Sequence, residues 1–351
     1  MIPQTYEVKF FSVGTETKGG DAIFIRFVDD SNEWKVIVID GGYGESGEHI
    51  VNYMKSLDLS TIDLMVNTHP DLDHISGLLT IMDSDIQVTT LVYHRPWHDA
   101  DLNADMFQDN RITDKSVNRR LRENFSKAYE LEQKAIAKGC HINTPELGDT
   151  YFGCFTILGP TKDLYQQRLL ESDKTPTVLD GEQGSTYQKI ALNFRHWIDR
   201  MLPIYWIPNE DTSAINDTSI VSLLRLHNMN ILFTGDVGKR GLKSALDYLY
   251  NNLLPYKQVN LLQLPHHGSR RNVDPQLLQR IAAKEYFISC PPKGEEDGHP
   301  SKRLVNVIYQ LFPNAIVHKN IGSRNFIYHS DDLSIEATPV GRVEPYDEIE
   351  D

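Results

Sequence analysis

The chain has 351 residues, 40% hydrophobic and 24% charged, which is the composition of a globular protein able to bury a substantial core. Its formal net charge is −14, from 49 acidic against 35 basic residues, the wrong sign for holding duplex DNA over a general surface. Any nucleic-acid substrate must therefore be met locally, by metal ions and a few basic side chains. No apolar run is long enough to span a bilayer, and Met1-Ile2-Pro3-Gln4-Thr5 has no basic stretch leading into an apolar one. No membrane role is expected, and the default location is cytoplasmic. Cys140, Cys154 and Cys290 are odd in number and widely spaced, and read as ordinary buried thiols of a reducing compartment.

The opening reads as strands: Tyr6 to Phe11 alternates, Ala22 to Val28 is apolar and branched, and Trp34 to Ile39 runs into Asp40-Gly41-Gly42. A helix is expected from Gly47 to Leu57, a strand from Leu64 to Thr68 ending on His69, a helix from Ile75 to Met82 and a strand from Gln87 to Tyr93. Polar, helix-prone sequence follows to about Gly148, most clearly from Ser116 to Lys138, and Tyr151 to Leu158 is a strand stopped by Gly159-Pro160. Residues 161–211 lose strand character and read as an inserted, partly helical segment, a candidate lid rather than a separate domain. The α/β rhythm then resumes with strands Ser219 to Leu226, Asn230 to Thr234, Val259 to Leu264 and Tyr286 to Ser289. Helices are expected over Gly241 to Tyr250, Pro275 to Ala283 and Ser301 to Phe312, with further strands near Ala315 to His318 and Asn325 to Tyr328. Residues 1–343 are expected to form one mixed α/β domain, with an acidic tail over 344–351.

Chemistry concentrates just past strand ends, where loops are free to carry it. His69, Asp71, Asp73 and His74 fall within His69-Pro70-Asp71-Leu72-Asp73-His74, directly after an apolar strand. Carboxylates crowded in this way repel one another unless a cation lies among them, and such N/O sets hold divalent metals. Two further strands end in metal-type side chains: Ile231-Leu232-Phe233-Thr234-Gly235-Asp236, and Leu261-Leu262-Gln263-Leu264 followed by Pro265-His266-His267-Gly268-Ser269.

His69-Pro70-Asp71-Leu72-Asp73-His74 resembles the H-x-H-x-D-H signature of metallo-β-lactamase-fold hydrolases, with Asp71 in place of the second histidine. Together with Asn216-Asp217-Thr218-Ser219, Thr234-Gly235-Asp236, the His266-His267 segment and Gly298-His299-Pro300-Ser301, it is similar to the hydrolase domain of ComEC competence proteins and its free-standing relatives. The resemblance implies a four-layer αββα sandwich with a metal site at one edge. It assigns His69 and Asp71 to a first metal site, Asp73, His74 and one of His266 or His267 to a second, and Asp236 to both. Where the family supplies another first-site histidine, this chain has Asn216 and Asp217. Oxygen donors shift the expected metal from zinc toward manganese or magnesium, with one or two ions bound.

The reaction implied is hydrolysis by a metal-bound hydroxide, with Asp71 or Asp73 passing a proton to the leaving group. The leading expectation is a phosphodiesterase or nuclease acting on nucleotides or short single strands. A hydrolase of a small carbonyl substrate (lactone, thioester or amide) and a non-catalytic interaction module are the alternatives. His299 is expected to serve catalysis, and Asn216, Ser269 and Arg270 to bind substrate, with Arg271, Lys302 and Arg303 nearby. His94, Arg95, Trp97 and His98 read as pocket lining or local packing, His196 and Trp197 as a satellite core, and Gly20-Asp21 and Asp40-Gly41-Gly42 as structural turns. Partner proteins and oligomeric state stay open.

Overall fold

The computed structural model describes the chain except for residues 1, 15–16, 101, 103–105, 107–112, 176–211, 255–258, 292, 295–297, 321–324, 334–340 and 347–351. Apolar residues occupy both faces of most strands, so each sheet must be covered twice, and two facing sheets with outer helices meet that demand. The first sheet holds β1 (Tyr6–Phe10), β2 (Ala22–Val28), β3 (Trp34–Gly41), β4 (Thr61–Val66), β5 (Gln87–Val92), β6 (His141–Asn143) and β14 (Phe326–His329), in the order β14-β1-β2-β3-β4-β5-β6. The second holds β7 (Thr150–Tyr151), β8 (Phe155–Gly159), β9 (Val221–Leu226), β10 (Met229–Phe233), β11 (Leu261–Gln263), β12 (Glu285–Ile288), β13 (Ile316–Lys319) and β15 (Gly341–Arg342). Its order is β15-β13-β12-β11-β10-β9-β8-β7. Each sheet is mixed: β3-β4-β5-β6 and β10-β11-β12-β13 pair in parallel, and the flanking strands pair antiparallel.

Side-chain alternation sorts the core into three clusters, one for each interface between layers. On β3, Ile37 and Ile39 meet Leu224, Ile231, Phe233 and Phe287 of the facing sheet. Val36 and Val38 point the other way, toward α1 (Gly44–Ser56), α2 (Leu72–Asp83), α3 (Asp114–Asn124), α4 (Ser126–Lys138) and α5 (Lys162–Leu170). The outer face of the second sheet buries Leu223, Leu232 and Leu262 under α6 (Lys239–Asn252), α7 (Pro275–Ile281) and α8 (Lys302–Leu311). The architecture is the expected αββα sandwich.

Several boundaries differ from expectation, each for a local reason. Helix α2 begins at Leu72, with Asp71 as its extended N-cap residue, so Asp73 and His74 sit in its first turn rather than in a loop. Leu72 is 55% exposed, which hides that turn from apolar periodicity. Strand β4 ends at Val66, leaving Asn67, Thr68 and His69 beyond it. The stretch from Tyr151 to Leu158 is a hairpin of β7 and β8, because Phe152 and Gly153 take positive φ of 52° and 68°. The helical run to Lys138 is broken at buried Phe125 into α3 and α4. Of the stretch 161–211, α5 is tied to the body by the Arg168 Nε–Asp217 ion pair at 2.9 Å. His196, Trp197 and the rest of the lid segment lie outside the described residues. Cys154 and Cys290 are buried and Cys140 is half-buried, all three free. No helix among the described residues is long and apolar enough to cross a membrane.

Candidate metal centre

The first helical layer is pressed directly onto the end of β3. A Cβ on Gly77 would stand 1.9 Å from the Gly41 carbonyl oxygen, so only glycine lets α2 come this close. That contact lowers His74, in the first turn of α2, onto Asp40 at the end of β3.

Asp40 is fully buried and organises the neighbourhood. Its Oδ1 accepts from the Thr68 backbone N–H at 2.8 Å and from Asn67 Nδ2 at 3.2 Å. Its Oδ2 accepts from Thr68 Oγ1 and from His74 Nδ1 at 2.8 Å. The single Thr68 hydroxyl proton is thereby used, so His69 Nδ1, 3.1 Å from Thr68 Oγ1, must be the donor there. Both imidazoles are fixed with Nδ1 as the donor, which in the neutral ring leaves Nε2 a lone pair. The same logic applies to His266. Asn272 Nδ2 donates to the carbonyls of Asp236 and Val237, leaving its Oδ1 to accept from His266 Nδ1 at 3.2 Å. His266 and His267 hold positive φ of 51° and 55°, a local strain of the kind that functional sites store, and it turns both rings toward Asp236 and Asp73.

In the neutral rings of His69, His74 and His266, acceptors therefore face acceptors. His69 Nε2 lies 3.6 Å and His266 Nε2 3.7 Å from Asp236 Oδ2, and His74 Nε2 lies 3.5 Å from Asp236 Oδ1. His267 Nε2 lies 3.6 Å and His74 Nε2 3.8 Å from Asp73 Oδ2. Nε2 of His69, His74 and His267, with Oδ1 of Asp21 and Asp236, are buried without a hydrogen-bond partner. Leaving each such group bare costs about 1–3 kcal/mol, and more when it is charged. Ligand atoms about 2.1 Å from one ion stand roughly 3.0–3.5 Å apart, close to these separations. Ligand atoms of His69, His74 and Asp236 lie within 4.8 Å of one another, as do those of Asp73, His74 and His267, and of Asp21, Asp236 and His267. A divalent cation fits this donor set.

The electrostatics agree. Burial pushes the Asp236 carboxyl up, but His74, His266 and His267 more than reverse this and hold it well below the usual range. Burial likewise opposes ionisation of Asp73, and His74 and His267 outweigh it. Burial disfavours charge on His267, yet Asp236, Asp73 and Asp21 raise it to about 9, and the same kind of surroundings raise His74 well above its ordinary value. Burial and then the neighbouring His74 push His69 down. Burial raises Asp21 despite the pull of His74 and His267. Without a dication, the same carboxylates favour a proton on His74 and on His267 in its place.

The structure brings His69, Asp73, His74, Asp236 and both histidines of the pair together. It places Asp71 at the rim, 37% exposed, with Oδ2 3.8 Å from His69 Nε2 and Oδ1 3.6 Å from Lys174 Nζ. Asn216 is buried with Nδ2 3.5 Å from Asp236 Oδ2, while its Oδ1 accepts from Ser213 Oγ, so it turns N–H donors toward the cluster. Asp217 faces away, bound to Arg168 and to the Gly241 N–H at 3.1 Å. His299 is half-buried with its ring centroid 5.4 Å from that of His266, on a loop tied in by the Ser301 N–H to the Gly268 carbonyl at 3.0 Å. Ser269 is buried and accepts from the Arg271 N–H at 3.3 Å, and Arg270 is half-buried beside it. His94 stacks on Tyr165 at 3.8 Å and lines a narrow cavity beside His69, whereas Trp97 and Arg95 bond to Glu132 and Thr144 in a packing network. Asp21 and Asp40, read from sequence as turn residues, belong to the site. Their only sequence signal is an Asp at the start of one strand and the end of another.

The family model of the metallo-beta-lactamase superfamily matches residues 18–111, the stretch holding Asp21, Asp40 and the His69–His74 motif. ComE operon protein 3 of Bacillus subtilis (strain 168) is 24% identical over 98 residues, a match covering 28% of this chain and 12% of that protein's length. Among solved structures, a diphosphatase of the PhnP family is similar at 12% identity over 91% of this chain and 96% of its own, with a TM-score of 0.39. A long-form RNase Z from yeast matches at 12% identity over 81% and 37%, with a TM-score of 0.37. The diiron β-hydroxylase CmlA of Streptomyces venezuelae matches at 10% identity over 92% and 54%, with a TM-score of 0.44.

Proposed function

We propose that this chain, which carries the metallo-beta-lactamase superfamily pattern on an αββα sandwich, is a metal-dependent phosphodiesterase acting on nucleotides or short single-stranded nucleic acid. The observation that carries the reading is the buried convergence of Nε2 of His69, His74 and His267, none with a hydrogen-bond partner, on the carboxylates of Asp73 and Asp236. Asp73, His74, His267, Asp21 and Asp236 would hold one ion tightly, and the sparser set of His69, Asp71 and Asp236 a second more weakly. The carboxylate share favours manganese or magnesium over zinc. A bound divalent ion lowers the pKa of water toward neutrality and offsets phosphate charge.

The chain's own residues supply the rest. Asp40 and Thr68 keep His74 and His69 in the tautomer that offers Nε2. Asn216 offers N–H donors to a phosphate oxygen beside Asp236, a preorganised contact of the kind that stabilises developing negative charge. Asp73 stays ionised and serves as a donor rather than an acid. His299, at the open rim beside His266, hands the proton to the leaving oxygen. A second reading, hydrolysis of a small carbonyl substrate at the same metal centre, rests on the fold alone. A matrix of zinc, manganese and magnesium against DNA and RNA oligonucleotides, cyclic nucleotides and lactones separates the two. Metal-dependent phosphodiester turnover, lost in Asp73→Ala, supports the first; turnover of lactones alone supports the second, and no turnover at all sinks both.

A further inference from the structure

Lys174 lies shortly after α5, its side chain 34% exposed, and its ammonium makes no hydrogen bond among the described residues. It stands 3.6 Å from Asp71 Oδ1 and 5.2 Å from the Phe125 ring centroid. The other oxygen of Asp71 faces His69 Nε2 at 3.8 Å. One carboxylate, standing where the family has a histidine, is thus shared between a lysine and the weaker metal set. Beside it opens a cavity of about 210 Å³ bounded by Asp71, Leu72, Asn124, Lys127 and Lys174, with room for a phosphate group and its waters. Lys127 is paired with Glu130 at 2.8 Å, so among the described residues Lys174 is the lining cation held only by a long ion pair. The Asp71–Lys174 pair is long and partly exposed, hence weak, and a phosphate offers the lysine more charge and shorter hydrogen bonds.

We propose that Lys174 is a phosphate-binding side chain which Asp71 masks in the resting protein. A substrate phosphate entering the cavity would take Lys174 and free Asp71 for the weaker ion held with His69 and Asp236. The inference rests on the metal-dependent reading above, and assigns the substrate class as one whose phosphate reaches past the metal cluster to α5. Binding of phosphate and of the weaker ion is then coupled, and by linkage each tightens the other equally.

The test is calorimetric titration of Mn²⁺ into the metal-stripped full chain, with and without inorganic phosphate, for the unmodified protein, Lys174→Met and Lys174→Arg. In the unmodified protein the first ion binds tightly and indifferently to phosphate, and phosphate tightens the second about tenfold. In Lys174→Met the second ion binds up to about fivefold more tightly without phosphate, and the gain from phosphate disappears. Lys174→Arg keeps that gain. An unmodified protein whose second ion ignores phosphate, or a Lys174→Met variant whose gain is intact, overturns the proposal while leaving the tight site standing. Failure of any ion to bind overturns the metal-dependent reading and this inference with it.

Discussion

The Asp40 carboxylate, fully buried, accepts from Thr68, Asn67 and His74. Asp40→Asn turns one of those acceptors into a donor facing the N–H of either Thr68 or His74, and unfixes the His74 ring. Partners of this kind typically contribute 10–100-fold to metal affinity, so Mn²⁺ binding should weaken by about that factor. The far-ultraviolet circular dichroism should be retained; unaltered affinity would show that Asp40 does not orient the ligands. A pH dependence follows from His267, raised to about 9 by Asp236, Asp73 and Asp21 against the effect of burial. Its unfolded value is near 6.5, so the stabilisation is complete below that pH and is lost as pH rises toward 9. The metal-free protein should melt at progressively lower temperature across pH 6.5 to 9 in chelator, and saturating Mn²⁺ should remove the decline. A flat melting temperature in chelator would contradict the raised value. His69, Asp73, His74, Asp236 and the histidine pair were legible in the sequence because each follows an apolar strand in a polar cluster. Asp21 and Asp40 were not, since one Asp beside glycine has the same appearance whether it ties a turn or orients a ligand.

At the scale of elements, two substitutions separate site geometry from general stability. Gly77→Ala drives a Cβ to within 1.9 Å of the Gly41 carbonyl and must lift α2, which carries Asp73 and His74. It should lower the melting temperature and the Mn²⁺ affinity together. Phe287→Ala removes a ring packed 4.1 Å from Phe10 and 5.0 Å from Phe326 between the sheets, and should cost about 3–5 kcal/mol in chemical denaturation. The folded fraction of that variant should keep its metal affinity. If both variants lose affinity alike, the close approach of α2 to β3 is not what sets the ligands. Long strands and helices could be read from periodicity, but their ends could not. The first turn of α2 exposes Leu72, and the β7–β8 hairpin turns on Phe152 inside what looks like one apolar run.

Over the whole molecule, the sandwich brings together residues from Asp21 to His299 because both sheets direct the relevant ends of β2, β3, β4, β10 and β11 to one edge. The sequence showed the pieces in order, but only the facing of the two sheets decides that His267 meets Asp73 while His266 meets Asp236. The net charge of −14 is the wrong sign for holding a long duplex over the general surface, so the proposed phosphate substrate must be met at the metal centre itself. The buried ligand atoms of Asp73, His74, His267 and Asp236 should enclose a cation. A crystal grown with Mn²⁺ and measured for anomalous scattering tests it directly. An anomalous peak is expected roughly 2.0–2.4 Å from ligand atoms of Asp73, His74, His267 and Asp236. The absence of a peak, with His74 and His267 instead closing into short hydrogen bonds to Asp236 and Asp73, would contradict it.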